Sequence, residues 1–215
     1  MNLDEISYGN PNIDQLKEIS TNNYLDVLLE ELSTYTFPKN SSEATQEELN
    51  EIVSYINTLK GKEDYINRYM VYDKHLSRYF TDGLIKGGEN EEEVKKIITD
   101  IIEDTKPLLT KLKFTFQRPR PYQLAHYYKL KLFPFKSVSA DSPSFPSGHA
   151  FQTRLLTEVI GNIYPKTYSF MQDVFKDICY SRVYLGLHYQ SDIDVGIFCA
   201  DKVLKNKEFK EKYKL

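Results

Sequence analysis

Apolar residues in this 215-residue chain recur at intervals of three and four over long stretches, and almost nowhere at intervals of two. Phe151, Leu155, Leu156, Val159, Ile160 and Ile163 form one such stripe. Met171, Val174, Phe175, Ile178 and Cys179 form a second, and Ile193, Ile197, Ala200 and Leu204 a third. This is the period of one face of an α-helix, so the spacing predicts helices there, the last from about Ser191 to Leu204. Val94, Ile97, Ile98, Ile101 and Ile102 follow the acidic run Glu91-Glu92-Glu93, a favourable first helical turn, and predict a helix from about Asn90 to Asp104. Thr45 and Glu48 fit a capping box ahead of Leu49, Ile52, Val53, Ile56 and Leu59. Asn23 to Thr34 and Tyr65 to Phe80 also read as helical. The expected architecture is all-α, a compact bundle of roughly seven to nine helices in one domain over residues 1–215.

Charge is segregated along the chain. From Thr105 to Ala140 there is no carboxylate, while Lys106, Lys111, Lys113, Arg118, Arg120, Lys129, Lys131 and Lys136 make the segment +8. The remainder carries −11, so the net −3 conceals a basic block in an acidic protein. Such a block is either a solvated face or a local anion site. No apolar run approaches the ~18–20 residues that span a bilayer, and Met1 to Asn10 lacks the basic and apolar regions of an export signal. A soluble protein without membrane insertion, in the cytoplasm, is therefore the expectation. Cys179 and Cys199 sit among apolar neighbours without metal-type spacing and read as two buried thiols.

Polar residues on stripes that should be apolar carry the functional signal. Arg182 falls on the buried face with Ile178, Phe175, Val174 and Met171, and a buried cation needs an anionic partner. An internal salt bridge or a snorkelling side chain accounts for it as well as an active site does. His149 shares the face of Leu156, Ile160 and Ile163 and follows Pro146-Ser147-Gly148, a helix start with Ser147 as its cap. The free backbone N–H groups of such a start readily hold phosphate, although a histidine there also serves as a core residue. His188 and Asp192 are four apart, close enough for the carboxylate to fix one imidazole tautomer.

Three blocks thus stand in order: Lys-x6-Arg-Pro, Pro-Ser-Gly-His at 146–149, and Ser181-Arg182-x5-His188-x3-Asp192. Together they supply cations, helix-terminal donors, two histidines and an orienting carboxylate, the inventory for phosphoryl transfer through a covalent histidine intermediate. With these blocks the sequence resembles the type 2 phosphatidic acid phosphatase (PAP2) superfamily, which also contains the bacterial class A acid phosphatases and the vanadium haloperoxidases. Arg118 to Tyr127 and His188 to Asp194 most resemble the soluble acid phosphatases. The resemblance covers a motif-bearing core of about 105–205; residues 1–104, an N-terminal helical part, carry no matching motif.

The resemblance implies a multi-helix bundle of that superfamily's type. It implies a metal-independent phosphohydrolase acting on small phosphomonoesters, with no cofactor and with vanadate as an inhibitor. It makes His188 the nucleophile, Asp192 the group that orients it, and His149 the general acid and then base. Lys113, Arg120, Ser147, Gly148 and Arg182 would hold the phosphate. Lys111 with Arg118 satisfies the first block as well as Lys113 with Arg120 does; the aromatic Tyr122 after the second Arg-Pro favours Lys113 with Arg120. Two other readings are a haloperoxidase with vanadate as cofactor, and an anion- or nucleic-acid-binding module built on the aromatic-rich basic block. Intact catalytic blocks argue against a pure binding module.

Overall fold

A computed structural model describes residues 2–215. It is all-α: the described residues form α-helices and short 3-10 turns, without a strand. The helices are α1 (Ile13–Ser20), α2 (Leu29–Leu32), α3 (Glu43–Thr58), α4 (Glu63–Lys74), α5 (Arg78–Lys86), α6 (Glu91–Phe116), α7 (Pro121–Leu124), α8 (Gly148–Ile163), α9 (Tyr168–Tyr184), α10 (Gln190–Lys205) and α11 (Lys207–Tyr213). That exceeds the number expected, the surplus being short segments such as α7 and α11 that lack room for a full amphipathic stripe; the stretch read as helical from Asn23 to Thr34 is a 3-10 turn, Tyr24–Leu28, leading into α2.

The stripes that predicted α8, α9 and α10 pack against one another, with Phe151, Leu155, Leu156, Ile160, Met171, Ile178, Cys199, Ala200 and Val203 in one core, except that Ile163, at the end of α8, is exposed. Helix α8 lies along both α9 and α10. Its approach to α10 is close enough that a Cβ at Gly196 would stand 2.7 Å from the Ser147 carbonyl oxygen. The backbone N–H of Ser147 donates to the Asp192 carbonyl at 2.9 Å, tying together the starts of the two helices that carry His149 and Asp192.

Four expectations need correction. Helix α6 does not end near Asp104; its apolar face continues through Leu108, Leu109 and Leu112, all buried, and it runs past Pro107 to Phe116. Burial of that face outweighs the backbone bond that proline forgoes. The stretch from Tyr65 to Phe80 is two helices, broken at His75–Ser77, where Leu76 turns in against the core. The cap of α3 is Ser42, whose hydroxyl accepts from the Thr45 N–H; Thr45 points its own hydroxyl at the Lys39 carbonyl, and Glu48 is engaged elsewhere. Finally, the chain does not end its helical course near Leu204, because Asn206 caps a further helix, α11, which buries Phe209 and Tyr213.

Cys179 and Cys199 are both free and buried, as their apolar surroundings predict. No helix among the described residues is long and apolar enough to cross a membrane.

Candidate active site

Helix α6 delivers Lys113 in its last turn, then Gln117 takes a left-handed conformation (φ 50°) and stops the helix. The chain turns through Arg118 and Arg120 into α7, which opens on Pro121, a residue pre-set for the first helical position. Lys113 and Arg120 both point inward. Lys111, two residues from Lys113 and so on another side of the helix, pairs instead with Asp26 and the Thr21 carbonyl. The basic block is therefore not a continuous surface. Lys113, Arg118 and Arg120 are buried, Lys106 and Lys111 are neutralised by Glu18 and Asp26, and Lys129, Lys131 and Lys136 face solvent.

His188 precedes α10 and is 2% exposed. Its Nδ1 lies 3.0 Å from Asp192 Oδ2 and its Nε2 lies 2.9 Å from Arg120 Nη1. A guanidinium can only donate, so Nε2 is the unprotonated, electron-pair-bearing nitrogen and Nδ1 carries the proton given to Asp192. Burial, then Arg120, push the His188 pKa well below 6.5 against the pull of Asp192. The imidazole is neutral and its Nε2 is poised as a base or nucleophile.

Asp192 is fully enclosed. Its carboxylate also accepts from Ser144 Oγ, from the Tyr189 N–H at 3.1 Å and from Arg118 Nη1 at 2.7 Å. Burial alone would raise this carboxyl, but Arg118, His188 and Ser144 together hold it well below the usual carboxylate range. Arg118 is in turn held by Glu48, at 3.0 Å.

Arg182 is likewise fully enclosed, on α9, and only its Nη2 is engaged, at 2.9 Å to Asp73 Oδ1 and 3.1 Å to Ser139 Oγ. Its Nε and Nη1 have no partner. Burial pushes its pKa down to about 10 despite Asp73. Asp73, on α4, also accepts from Ser137, from Ser139 and from the Val138 N–H, which pins the loop that precedes α8. Burial works against the charge on Asp73, but Arg182 and the loop donors keep its pKa well below the ordinary value.

His149 stands in the first turn of α8, and its Nε2 donates to the Tyr72 carbonyl at 3.3 Å. Burial, then Arg182, lower its pKa well below 6.5. Ser147 caps α8, its hydroxyl 3.4 Å from the Ala150 N–H. Gly148 lets α6 pack closely on the start of α8, since a Cβ there would come 3.2 Å from Leu109 Cδ2. A cleft of about 470 Å³ opens onto Lys113, Ser139, Ser142, Gly148 and His149, with α1 along its far side.

The charges do not balance within the site. Arg182 has Asp73 and Arg118 has Asp192 and Glu48, but neither Lys113 nor Arg120 makes an ion pair among the described residues. Lys113 donates to the Pro143 carbonyl at 2.7 Å, and Arg120 to the carbonyls of Ser142 and Leu187, each at 2.9 Å. Burial, then Arg120, drive the Lys113 pKa well below 10.5, and burial lowers that of Arg120 as well. Buried cations are ordinarily matched by anions. Arg120, in contact with the Nε2 of His188, and Lys113, near enough for its charge to act on the imidazole, form with the half-used guanidinium of Arg182 a receptacle for an anion.

The structure thus brings together Lys113, Arg120, His188 and Asp192 by direct contacts or shared fields, and sets Ser147, Gly148, His149 and Arg182 around them. Sequence reasoning missed Glu48, Asp73 and the inward turn of Arg118. A buried arginine on an apolar stripe announced that an anion must exist, but nothing in the local pattern said that α4 would supply it.

A stability consequence follows from the neutral imidazole of His188. The unfolded chain binds this proton near pH 6.5 and the folded chain does not, so acidification below that value favours unfolding. The slope is about 1.4 kcal/mol per pH unit until the folded pKa is reached. Asp73 and Asp192 act in a different window: their contribution is in place above about pH 4 and is lost below it. In thermal unfolding between about pH 7 and pH 5, the Tm of the native chain is expected to fall more steeply than that of His188→Gln. Parallel slopes would mean that His188 is charged in the folded protein.

No curated protein matches the chain. Among solved structures, it is similar at 18% identity to the crystal structure of the first transmembrane PAP2 type phosphatidylglycerolphosphate phosphatase from Bacillus subtilis. That match covers 93% of this chain and 94% of the other, with a TM-score of 0.40. Residues 97–200, from α6 to α10, match the model of the PAP2 superfamily. This matched segment carries Lys113, Arg120, His149, Arg182, His188 and Asp192.

Proposed function

We propose that the chain is a phosphohydrolase that cleaves phosphate monoesters through a phosphohistidine at His188, without a metal. The observation that carries this reading is the electron-pair-bearing Nε2 held against Arg120, one of two buried cations without an anionic partner, the other being Lys113. In the reaction, Arg120 turns from Nε2 to an equatorial phosphate oxygen. Lys113, the free Nε and Nη1 of Arg182 and the Gly148 N–H take the remaining oxygens. Cations fixed in a dry site favour the transition state, where charge spreads over those oxygens, and this is the work a metal does elsewhere.

The Nε2 electron pair attacks phosphorus opposite the leaving oxygen. As the N–P bond forms, the P–O bond breaks and its electron pair leaves with the alkoxide, which takes a proton from His149. The imidazolium that results keeps its Nδ1 proton on Asp192. A water then attacks phosphorus, gives its proton to His149, and the N–P electron pair returns to Nε2. His149 is neutral in the free protein because it is buried and faces Arg182. A bound phosphate dianion opposes that cation and lets His149 hold the proton it must donate.

The resemblance of Arg118 to Tyr127 and His188 to Asp194 to acid phosphatases supports a small, soluble phosphomonoester as substrate. The test is hydrolysis of an aryl phosphate in the presence of a chelator. Turnover inhibited by vanadate is expected, and turnover that needs an added divalent ion would contradict the reading. His149→Ala is expected to slow an alkyl phosphate by about 10²–10⁴-fold and an aryl phosphate, whose leaving group needs no proton, much less. Equal losses on both would remove His149 from the role of acid.

A further inference from the structure

We infer that Glu48 and Arg118 act as positioning residues, an ion-pair relay behind Asp192 that sets how firmly Asp192 holds the Nδ1 proton of His188. The inference rests on the reading of His188 as the working nucleophile. Arg118 Nη1 donates to Asp192 Oδ1 and to Ser191 Oγ, each at 2.7 Å, and its Nη2 donates to Glu48 Oε2 at 3.0 Å. Glu48 closes the ring by accepting the Ser191 N–H at 2.8 Å and the Ser191 hydroxyl at 3.0 Å. The guanidinium lies 3.8 Å from the centroid of the Tyr189 ring, so its plane is fixed as well as its ends. Neither Glu48 nor Arg118 hydrogen-bonds His188, Arg120 or Lys113; their side-chain bonds run to each other, to Ser191 and to Asp192. Both act on the chemistry only through Asp192.

Charges alternate along the line: Glu48 negative, Arg118 positive, Asp192 negative, His188 donating a proton. In a buried site each charge alters how strongly its neighbour attracts the next. Neutralising Arg118 leaves Asp192 uncompensated, so Asp192 draws the Nδ1 proton more strongly. Neutralising Glu48 leaves the whole Arg118 charge on Asp192, so Asp192 draws the proton less. A relay therefore gives opposite signs for the two substitutions, whereas two groups that merely hold the fold together do not.

The test reads the Nδ1–H proton of His188 by NMR in histidine-labelled protein at fixed pH, and alongside it the pH profile of kcat/KM for an aryl phosphate. Arg118→Met is expected to move the resonance downfield and the acid limb of the profile to higher pH. Glu48→Gln is expected to move both the other way. In each, kcat falls about 10- to 100-fold, the usual scale for groups that orient a working histidine through its partner, while KM stays within about twofold. Displacements in the same direction, or an unmoved resonance in folded Glu48→Gln protein, would overturn the relay. If Arg118→Met does not fold, the upfield displacement in Glu48→Gln decides alone. The resonance needs no turnover, so opposite displacements in an inert enzyme would sink the hydrolase reading and leave the relay, and turnover with an unmoved resonance would do the reverse.

Discussion

His188→Ala is expected to lower kcat for aryl phosphate hydrolysis by at least about 10⁴-fold, the scale on which loss of a nucleophile that works with an orienting partner is felt. The loss should fall on kcat, because the cations that hold the phosphate remain. Lys113 and Arg120 do not depend on the imidazole for their fold contacts: Lys113 holds the Pro143 carbonyl, and Arg120 those of Ser142 and Leu187. Inorganic phosphate should still bind and still raise the Tm, by an amount that grows with the logarithm of its concentration above Kd. Steady-state rates and a phosphate titration of thermal unfolding check the two halves. A variant that retained activity within about tenfold would dismiss His188 as nucleophile.

Asp192→Ala is expected to damage the fold as well as the chemistry. The carboxylate accepts from His188, Ser144, the Tyr189 N–H and Arg118, none of which has water to turn to. Removing one member of a buried ion pair typically costs about 3–5 kcal/mol, because the partner is left charged and unsatisfied. Glu48 still faces Arg118 and tempers the loss toward the lower figure. Asp192→Asn keeps the shape and should fold better, yet its amide can present a donor to Nδ1 and favour the wrong tautomer of His188. A drop of about 10³–10⁴-fold in kcat is expected for it, on the pattern of other carboxylate–histidine pairs. Urea or thermal unfolding of the two variants, set beside their kcat, separates the terms. Equal stability of Asp192→Ala and the native chain would contradict the enclosed pairing with Arg118.

The fold was legible where a helix buries one continuous face. Helices α8, α9 and α10 announced themselves through stripes that the core then uses, and the acidic start of α6 marked its N-terminus. Legibility failed where a helix end depends on contacts elsewhere. The continuation of α6 past Pro107 rests on the burial of Leu108, Leu109 and Leu112, and the break after Lys74 on Leu76 reaching the core. The short α7 has no period of its own to read.

The site divides in the same way. Ser147, Gly148, His149, Arg182, His188 and Asp192 were visible because polar residues on apolar stripes and at a helix start stand out in one dimension. Both lysine registers satisfied the first block; the helical twist separates them, sending Lys111 to Asp26 and Lys113 to the interior. Glu48 and Asp73 were invisible because their meaning lies in partners far along the chain, Arg118 and Arg182. Glu48 even offered a local alternative, as the second half of a capping box with Thr45, that the folded chain does not use. The first hundred residues carry no motif, yet they supply Asp73, which pairs with Arg182, and Glu48, which shares Arg118 with Asp192.

The most direct test of the central claim is to trap the intermediate. Protein reacted briefly with an aryl phosphate, quenched in alkali to protect a phosphoramidate, digested and examined by mass spectrometry, is expected to carry one phosphoryl group on the peptide containing His188. His149→Ala, slowed in the water step, should accumulate more of it. A turning-over enzyme with no phosphoryl group on that peptide, under conditions that preserve a phosphohistidine standard, would contradict covalent catalysis at His188.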